Sequence, residues 1–167
     1  MIVFYCPLCW AEFTKNTAHC PRCGAALHDA ADQDEYTVKL MRALKHPEPT
    51  TVVRAAALLG TLRECCAVQP LLTLLTSNSD PYILESAVEA LGAIGEGAAL
   101  DGLIEALAHS YVRVRGKAAE ALGKFLPDDR ARTALASALN DPSQYVRSLA
   151  VEALTKFTPA EALAKEP

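Results

Sequence analysis

Aromatic side chains are scarce in this 167-residue chain, at 6% with a single tryptophan, so large rings cannot dominate its core. Positive charge is not in excess either. The formal net charge is −4, which leaves no general electrostatic attraction to DNA or RNA. No apolar stretch runs for the ~20 residues a membrane helix requires before a charge interrupts it. The opening Met1-Ile2-Val3-Phe4-Tyr5-Cys6-Pro7 has no positive leading segment, and its apolar run is too short for a secretory signal. A cytoplasmic protein without membrane contact is therefore expected. In that reducing compartment, paired cysteines read as a metal site and not as disulfides.

What the chain has in quantity is Ala and Leu, within an apolar share of 51%. Small residues let helices approach one another, so this supply favours helix packed on helix. Character changes near residue 30. Residues 1–28 hold four of the six cysteines, Trp10 and two of the four phenylalanines, whereas helical periodicity takes over from about residue 34. A boundary at 30 separates a 1–30 module from a 31–158 helical region, with 159–167 as a C-terminal tail. Asp29 or Asp32 is placed to cap the first helix.

Beyond the boundary the sequence repeats itself. Thr51-Val52-Val53-Arg54-Ala55-Ala56-Ala57-Leu58-Leu59-Gly60 aligns with Ile83-Leu84-Glu85-Ser86-Ala87-Val88-Glu89-Ala90-Leu91-Gly92. Two further copies are Val114-Arg115-Gly116-Lys117-Ala118-Ala119-Glu120-Ala121-Leu122-Gly123 and Val146-Arg147-Ser148-Leu149-Ala150-Val151-Glu152-Ala153-Leu154-Thr155. The end markers Gly60, Gly92, Gly123 and Thr155 are 32, 31 and 32 residues apart, a period that signals a solenoid. Twenty residues before each marker stands a leucine (Leu40, Leu72, Leu103, Leu135), which places a first helix ahead of each aligned second helix.

Within the third unit, Val114, Ala118, Ala121, Leu122 and Phe125 fall on one helical face. Asp80-Pro81, Asp141-Pro142 and His46-Pro47 mark the turns between paired helices, where Asp caps and Pro takes the first helical position. One hairpin cannot bury its apolar face alone, so neighbouring copies must supply the missing core. Cys65 and Cys66 align with Gly97 and Ala98, which puts Cys65 in a turn and Cys66 at a small, packed position.

These columns resemble the HEAT-like repeats of the phycobilisome-lyase type, whose units read roughly Asp-x-x-Val-Arg-x-x-Ala-x-x-Ala-Leu-Gly. The resemblance covers about residues 34–157 and is best where Val114-Arg115 and Val146-Arg147 stand. The second unit departs with Ile83-Leu84, and the first with Thr51-Val52 and a shifted Val53-Arg54. What the resemblance implies is an all-α, right-handed α-α superhelix of about four helical hairpins, an architecture used mainly for protein–protein contact. It also implies that Arg115 and Arg147 pair with a loop acid of an adjacent unit, Asp80 or Asp141, and that second helices line the concave side. Some relatives attach or remove bilins, and others use His-Glu iron ligands to hydroxylate a lysine derivative. No His-Glu dipeptide occurs here, so the hydroxylase reading fails.

The N-terminal module carries the chemistry. Cys6-Pro7-Leu8-Cys9 and Cys20-Pro21-Arg22-Cys23-Gly24 form two C-x-x-C pairs ten residues apart. Each pair aims two thiolates at one ion, and four soft thiolates complete a closed tetrahedron with Zn–S bonds of ~2.3 Å. The motif resembles a zinc ribbon, with Cys6, Cys9, Cys20 and Cys23 as ligands. A closed set leaves no open coordination position, so the Zn2+ would be structural. A rubredoxin-like iron site uses the same ligands. Fewer than 30 residues cannot be held by burial alone, whereas zinc ligation of roughly 10–16 kcal/mol can fold such a module. Trp10, Phe13, Phe4 and Tyr5 form either a base-stacking surface or the module's own small core; only Lys15 and Arg22 add positive charge nearby.

Charge along the repeats is uneven. No Lys or Arg lies between Glu64 and Tyr111, whereas six basic residues fall from Arg113 to Arg132. Arg113, Lys117, Glu120 and Lys124 share one strip of the third unit's second helix. Tyr82, Glu89, Arg113, Lys117, Lys124, Tyr145 and an exposed Leu149 are accordingly the expected partner-binding residues, aromatic anchors foremost. No Ser/His/Asp set, phosphate loop or open metal triad emerges. The expected function is a non-enzymatic protein–protein interaction scaffold or regulatory adaptor with structural zinc, the ribbon either capping the first hairpin or docking separately. The alternatives are a bilin lyase-like enzyme subunit or chaperone, and a ribbon-dependent nucleic-acid binder.

Overall fold

The computed structural model describes residues 4–6, 9–14, 17–26 and 36–156. The boundary at residue 30, the capping roles of Asp29 and Asp32, and the 159–167 tail lie outside the described residues. A two-stranded antiparallel ribbon comes first, with β1 (Phe4–Tyr5) paired to β2 (Glu12–Phe13) in the register Phe4↔Phe13 and Tyr5↔Glu12. Helical hairpins follow. Their first helices are α1 (Tyr36–Ala43), α3 (Val68–Ser77), α5 (Leu100–Ala106) and α7 (Asp129–Ala138). Their second helices are α2 (Pro49–Leu62), α4 (Pro81–Ile94), α6 (Val112–Gly123) and α8 (Gln144–Lys156). The described residues thus form a stack of four hairpins with a small cysteine module ahead of it.

Each turn between paired helices is built by one side chain at one repeat position. His46 Nδ1 accepts the N–H of Glu48 at 3.0 Å, and Asn78 Oδ1 that of Asp80 at 2.8 Å. His109 Nδ1 accepts the N–H of Tyr111 at 3.1 Å, and Asp141 Oδ1 that of Ser143 at 2.7 Å. An acceptor two residues ahead of the amide closes the turn and frees the next residues to start a helix. Asp80 then caps α4 by accepting from Tyr82 and Ile83 N–H, with Pro81 in the first turn. Asp141 does not cap α8 in this way; its carboxylate is taken by the turn and by Arg115.

The first two passages from one unit to the next share a design, whereas the third ends α6 at Lys124 in a right-handed conformation and starts α7 on an Asp128 cap. Arg63 and Gly95 close α2 and α4 in left-handed conformations, at φ 54° and 74°. Short 3-10 turns at Cys65–Ala67 and Gly97–Ala99 then lead into α3 and α5. Within these turns the buried small residues are Ala67 and Ala99, while Cys66 is exposed, contrary to its expected packed position. A 3-10 turn advances three residues per turn, so it presents a different residue inward than α-helical periodicity suggests.

The core runs through the stack as one continuous layer. Leu59, Leu91 and Leu122 of the second helices are fully buried, each worth roughly 1.5–3 kcal/mol of burial. Leu40, Leu103 and Leu135 fill the expected first-helix position. In the second unit the buried leucine is Leu71, not Leu72. Leu72 is only partly buried and reaches across to Gly102 of α5 instead.

Second helices meet far more closely than first helices do. A methyl group on Gly60 would lie 2.7 Å from Ala90 Cα, on Gly92 2.6 Å from Ala121 Cβ, and on Gly123 2.9 Å from Ala153 Cβ. The repeated glycine therefore exists for the alanine of the following unit. The units are thus joined mainly through the layer formed by α2, α4, α6 and α8.

Candidate functional site

Two backbone loops of the same design present the four cysteines. In the first, Trp10 N–H donates to Cys6 O at 2.9 Å and Cys6 N–H to Ala11 O at 3.1 Å. In the second, Gly24 N–H donates to Cys20 O at 2.9 Å and Cys20 N–H to Ala25 O at 2.8 Å. The four sulfurs converge, with Cys6 and Cys23 Sγ 3.7 Å apart, Cys9 and Cys20 Sγ 3.6 Å apart, and all four within 4.8 Å of one another. A tetrahedron with bonds of ~2.3 Å has edges of roughly 3.8 Å, so the group can hold one metal ion. Cys6 and Cys20 are buried, Cys9 is half-buried and Cys23 is exposed.

Electrostatics within the cluster favour a cation. Burial works against a Cys20 thiolate, yet the N–H groups of Cys23 and Arg22 aimed at its sulfur prevail and lower its pKa to about 6. At Cys9 the Ala11 N–H favours the thiolate, but burial and hydrogen bonds shared with the other three sulfurs outweigh it and push the pKa up to about 12. Four thiols so close cannot all ionise unless a positive ion compensates them. His19, beside the second loop, is exposed and contributes its backbone to a bridge with Ala26. His28, Lys15, Pro7 and Leu8 lie outside the described residues.

The module sits on the stack through Trp10. The indole Nε1–H donates to the backbone oxygen of Arg42 in α1, and its ring meets His46 edge-on at 4.4 Å between centroids. The sequence offered base stacking or a module core for this residue; the structure gives it a contact with the first hairpin.

A second candidate surface follows the second helices. Small residues, among them Ala57, Gly60, Ala90, Ala93 and Ala121, floor a shallow groove across three units, and Gly123 and Ala153 extend it to α8. Charged side chains rim it. The family model for HEAT repeats matches residues 37–123 and again residues 100–165.

The chain belongs to the HEAT-repeat family.

No curated protein matches it. HEAT repeats are commonly scaffolds for protein interaction, and among the described residues no helix is long and apolar enough to cross a membrane.

The seams between HEAT units occupy several residues that the sequence strip suggested for a partner. Arg113 reaches back to Glu85 of the preceding unit at 2.9 Å, and that glutamate is only 7% exposed. Lys117 pairs with Glu89 across the same seam and with Glu120 at 3.2 Å along its own helix. These contacts, the Glu89 hydrogen bond first, raise the lysine's pKa against the opposing effect of burial. At the next seam, the Tyr145 ring and Leu149 Cδ1 cover Gly116, where a methyl group would lie 2.4 Å from the ring. Leu149 is thus half-buried against the core, not exposed. Tyr82 stands 66% exposed at the start of α4. Lys124 is exposed on the groove rim and has no ion pair among the described residues.

The repeat arginines act on loops. Arg115 makes a two-pronged pair with Asp141, Nε to Oδ2 at 2.7 Å and Nη2 to Oδ1 at 3.0 Å, and donates through Nη1 to His109 O and Ser110 O. Arg115 thereby ties its own loop to the next unit's, as the HEAT resemblance implied. Arg147 takes the same hold on its own loop through the carbonyls of Asp141 and Pro142. Asp80 is occupied by its capping bonds instead. Glu85 and Gly116 were not singled out by the sequence; their sign is that they face Arg113 and Tyr145, which share one repeat position.

Proposed function

We propose that this HEAT protein is a non-enzymatic, cytoplasmic scaffold or regulatory adaptor that takes a protein partner along the α2–α4–α6–α8 face, with a structural zinc ion held by Cys6, Cys9, Cys20 and Cys23. The observation that carries the reading is the groove. Its floor of glycine and alanine leaves backbone-level space across successive units, while Lys124 remains available at its rim and Tyr82 stands exposed at the start of α4 on the same layer of helices. Side chains at the seams (Glu89, Arg113, Lys117, Tyr145, Leu149) shape that face and hold its units in register. Zinc suits the sulfurs because thiolates are soft ligands and four of them complete its tetrahedral shell.

Affinity capture from lysate of the source cells tests the surface. A Tyr82→Ala/Lys124→Glu variant is expected to lose the captured protein by about tenfold or more, as truncation of an aromatic anchor commonly does. A Lys39→Glu variant on a first helix is expected to retain it. Equal recovery by all three chains would remove this face from consideration. Elemental analysis is expected to give one zinc per chain; iron, or no metal, would overturn the zinc assignment.

A further inference from the structure

The two cysteine loops differ at one position in a way that metal binding alone does not explain. The residue after the second cysteine of each pair adopts a left-handed backbone, Trp10 at φ 56° and Gly24 at φ 74°. Glycine does so without penalty, whereas a bulky L-residue there is strained because its Cβ crowds the following carbonyl oxygen. The compensation lies outside the module. Nε1 of Trp10 donates to Arg42 O in the last turn of α1, an oxygen that also accepts the Lys45 N–H at 3.0 Å. Its ring also packs edge-on against His46 at an interplanar angle of 70°. His46 in turn holds the Glu48 N–H and so shapes the entry to α2.

We propose that Trp10 is the joint through which metal binding by the four cysteines orders the first helical hairpin, making the ion a ligand of the stack as well as of the module. The inference rests on the metal reading of the cysteine cluster. Bringing Cys6 and Cys9 onto an ion shared with Cys20 and Cys23 closes the loop that fixes the Trp10 backbone. That closure aims the indole at Arg42 and His46. Released from the ion, the module cannot hold itself by burial, and nothing keeps residue 10 in its unfavourable conformation. The first hairpin, whose α1 has only eight residues, then loses the contact that covers its turn.

Hydrogen exchange on the full chain, with one equivalent of zinc or with a chelator, reads this coupling. Zinc is expected to slow amide exchange across residues 36–62 of the wild type by at least about fivefold, the effect of one hydrogen bond, and to leave residues 112–156 unchanged. Trp10→Gly suits the backbone and is expected to bind zinc with the same stoichiometry, yet exchange across 36–62 should no longer respond to the metal. Full zinc-dependent protection in Trp10→Gly would overturn the proposal. So would loss of zinc binding in that variant, because Trp10 would then belong to the module's own fold. If the wild type itself binds no zinc by elemental analysis, the metal reading fails first.

Discussion

Replacing Gly92 by alanine puts one of the closest helix approaches in the stack under test. The added methyl group would lie 2.6 Å from Ala121 Cβ and 3.0 Å from its Cα. Non-bonded carbons settle at about 3.5–4.0 Å, so α6 has to retreat by roughly 1 Å. Overpacking of this kind costs about 1–3 kcal/mol. Alanine recovers about 1 kcal/mol over glycine through helix propensity. The expected net loss is up to about 2 kcal/mol, or as much as roughly 6 °C in the thermal midpoint of a chain this size. Thermal and urea unfolding followed by far-ultraviolet circular dichroism measure both. Gly97 supplies the control: nothing lies within 4 Å of its would-be methyl group, and Gly97→Ala is expected to be neutral or slightly stabilising. Gly123 supplies the rescue. Its nearest neighbour is Ala153 Cβ at 2.9 Å, so Gly123→Ala with Ala153→Gly should lose about 1 kcal/mol less than the sum of the single changes. A Gly92→Ala chain stabilised by the full ~1 kcal/mol of helix propensity would mean that α4 and α6 do not approach as described.

Two further perturbations address the loops. Asp141→Asn removes the charge from the nearly buried pair with Arg115 and is expected to cost about 2 kcal/mol at neutral pH. The Arg115 hydrogen bond lowers the Asp141 pKa, so its contribution is complete above the unfolded value of about 3.9 and is lost as pH falls through the lower folded value. Wild-type stability should therefore fall more steeply than that of Asp141→Asn below about pH 4, and parallel acid titrations would refute the pairing. At the third turn, His109→Asn keeps an acceptor like Asn78 and is expected to stay within about 0.5 kcal/mol of wild type, whereas His109→Ala should lose about 1 kcal/mol. Equal stability of the two variants would show that the turn does not depend on that acceptor.

Much of this architecture was legible because the repeat records packing directly. Glycine recurs where the next helix leaves no room for a side chain, and alanine recurs where that glycine is met. Fixed spacing failed at Leu72 because α3 carries one more residue between its buried leucine and its turn residue than the other first helices do. Leu71 lies seven positions ahead of Asn78, whereas Leu103 lies six ahead of His109. The metal cluster was legible from spacing, since two C-x-x-C turns leave little freedom in where their sulfurs point. The partner strip was less so. A helical wheel places Arg113, Lys117 and Tyr145 on an outward face, but it cannot show that this face abuts the preceding unit. Trp10 was ambiguous for a related reason: its contacts lie some thirty residues away, beyond any local pattern.

The matched pairs at the seams also make the hairpins unequal. Arg113 lies over Glu85, and Tyr145 occupies the same station in its own hairpin but lies over a bare glycine. Exchanging the third and fourth hairpins would press a phenol ring onto Glu85 and strand its carboxylate without a cation. Linear order is thus written into the joints, and a rearranged copy of the same modules would be a poorer protein than the original.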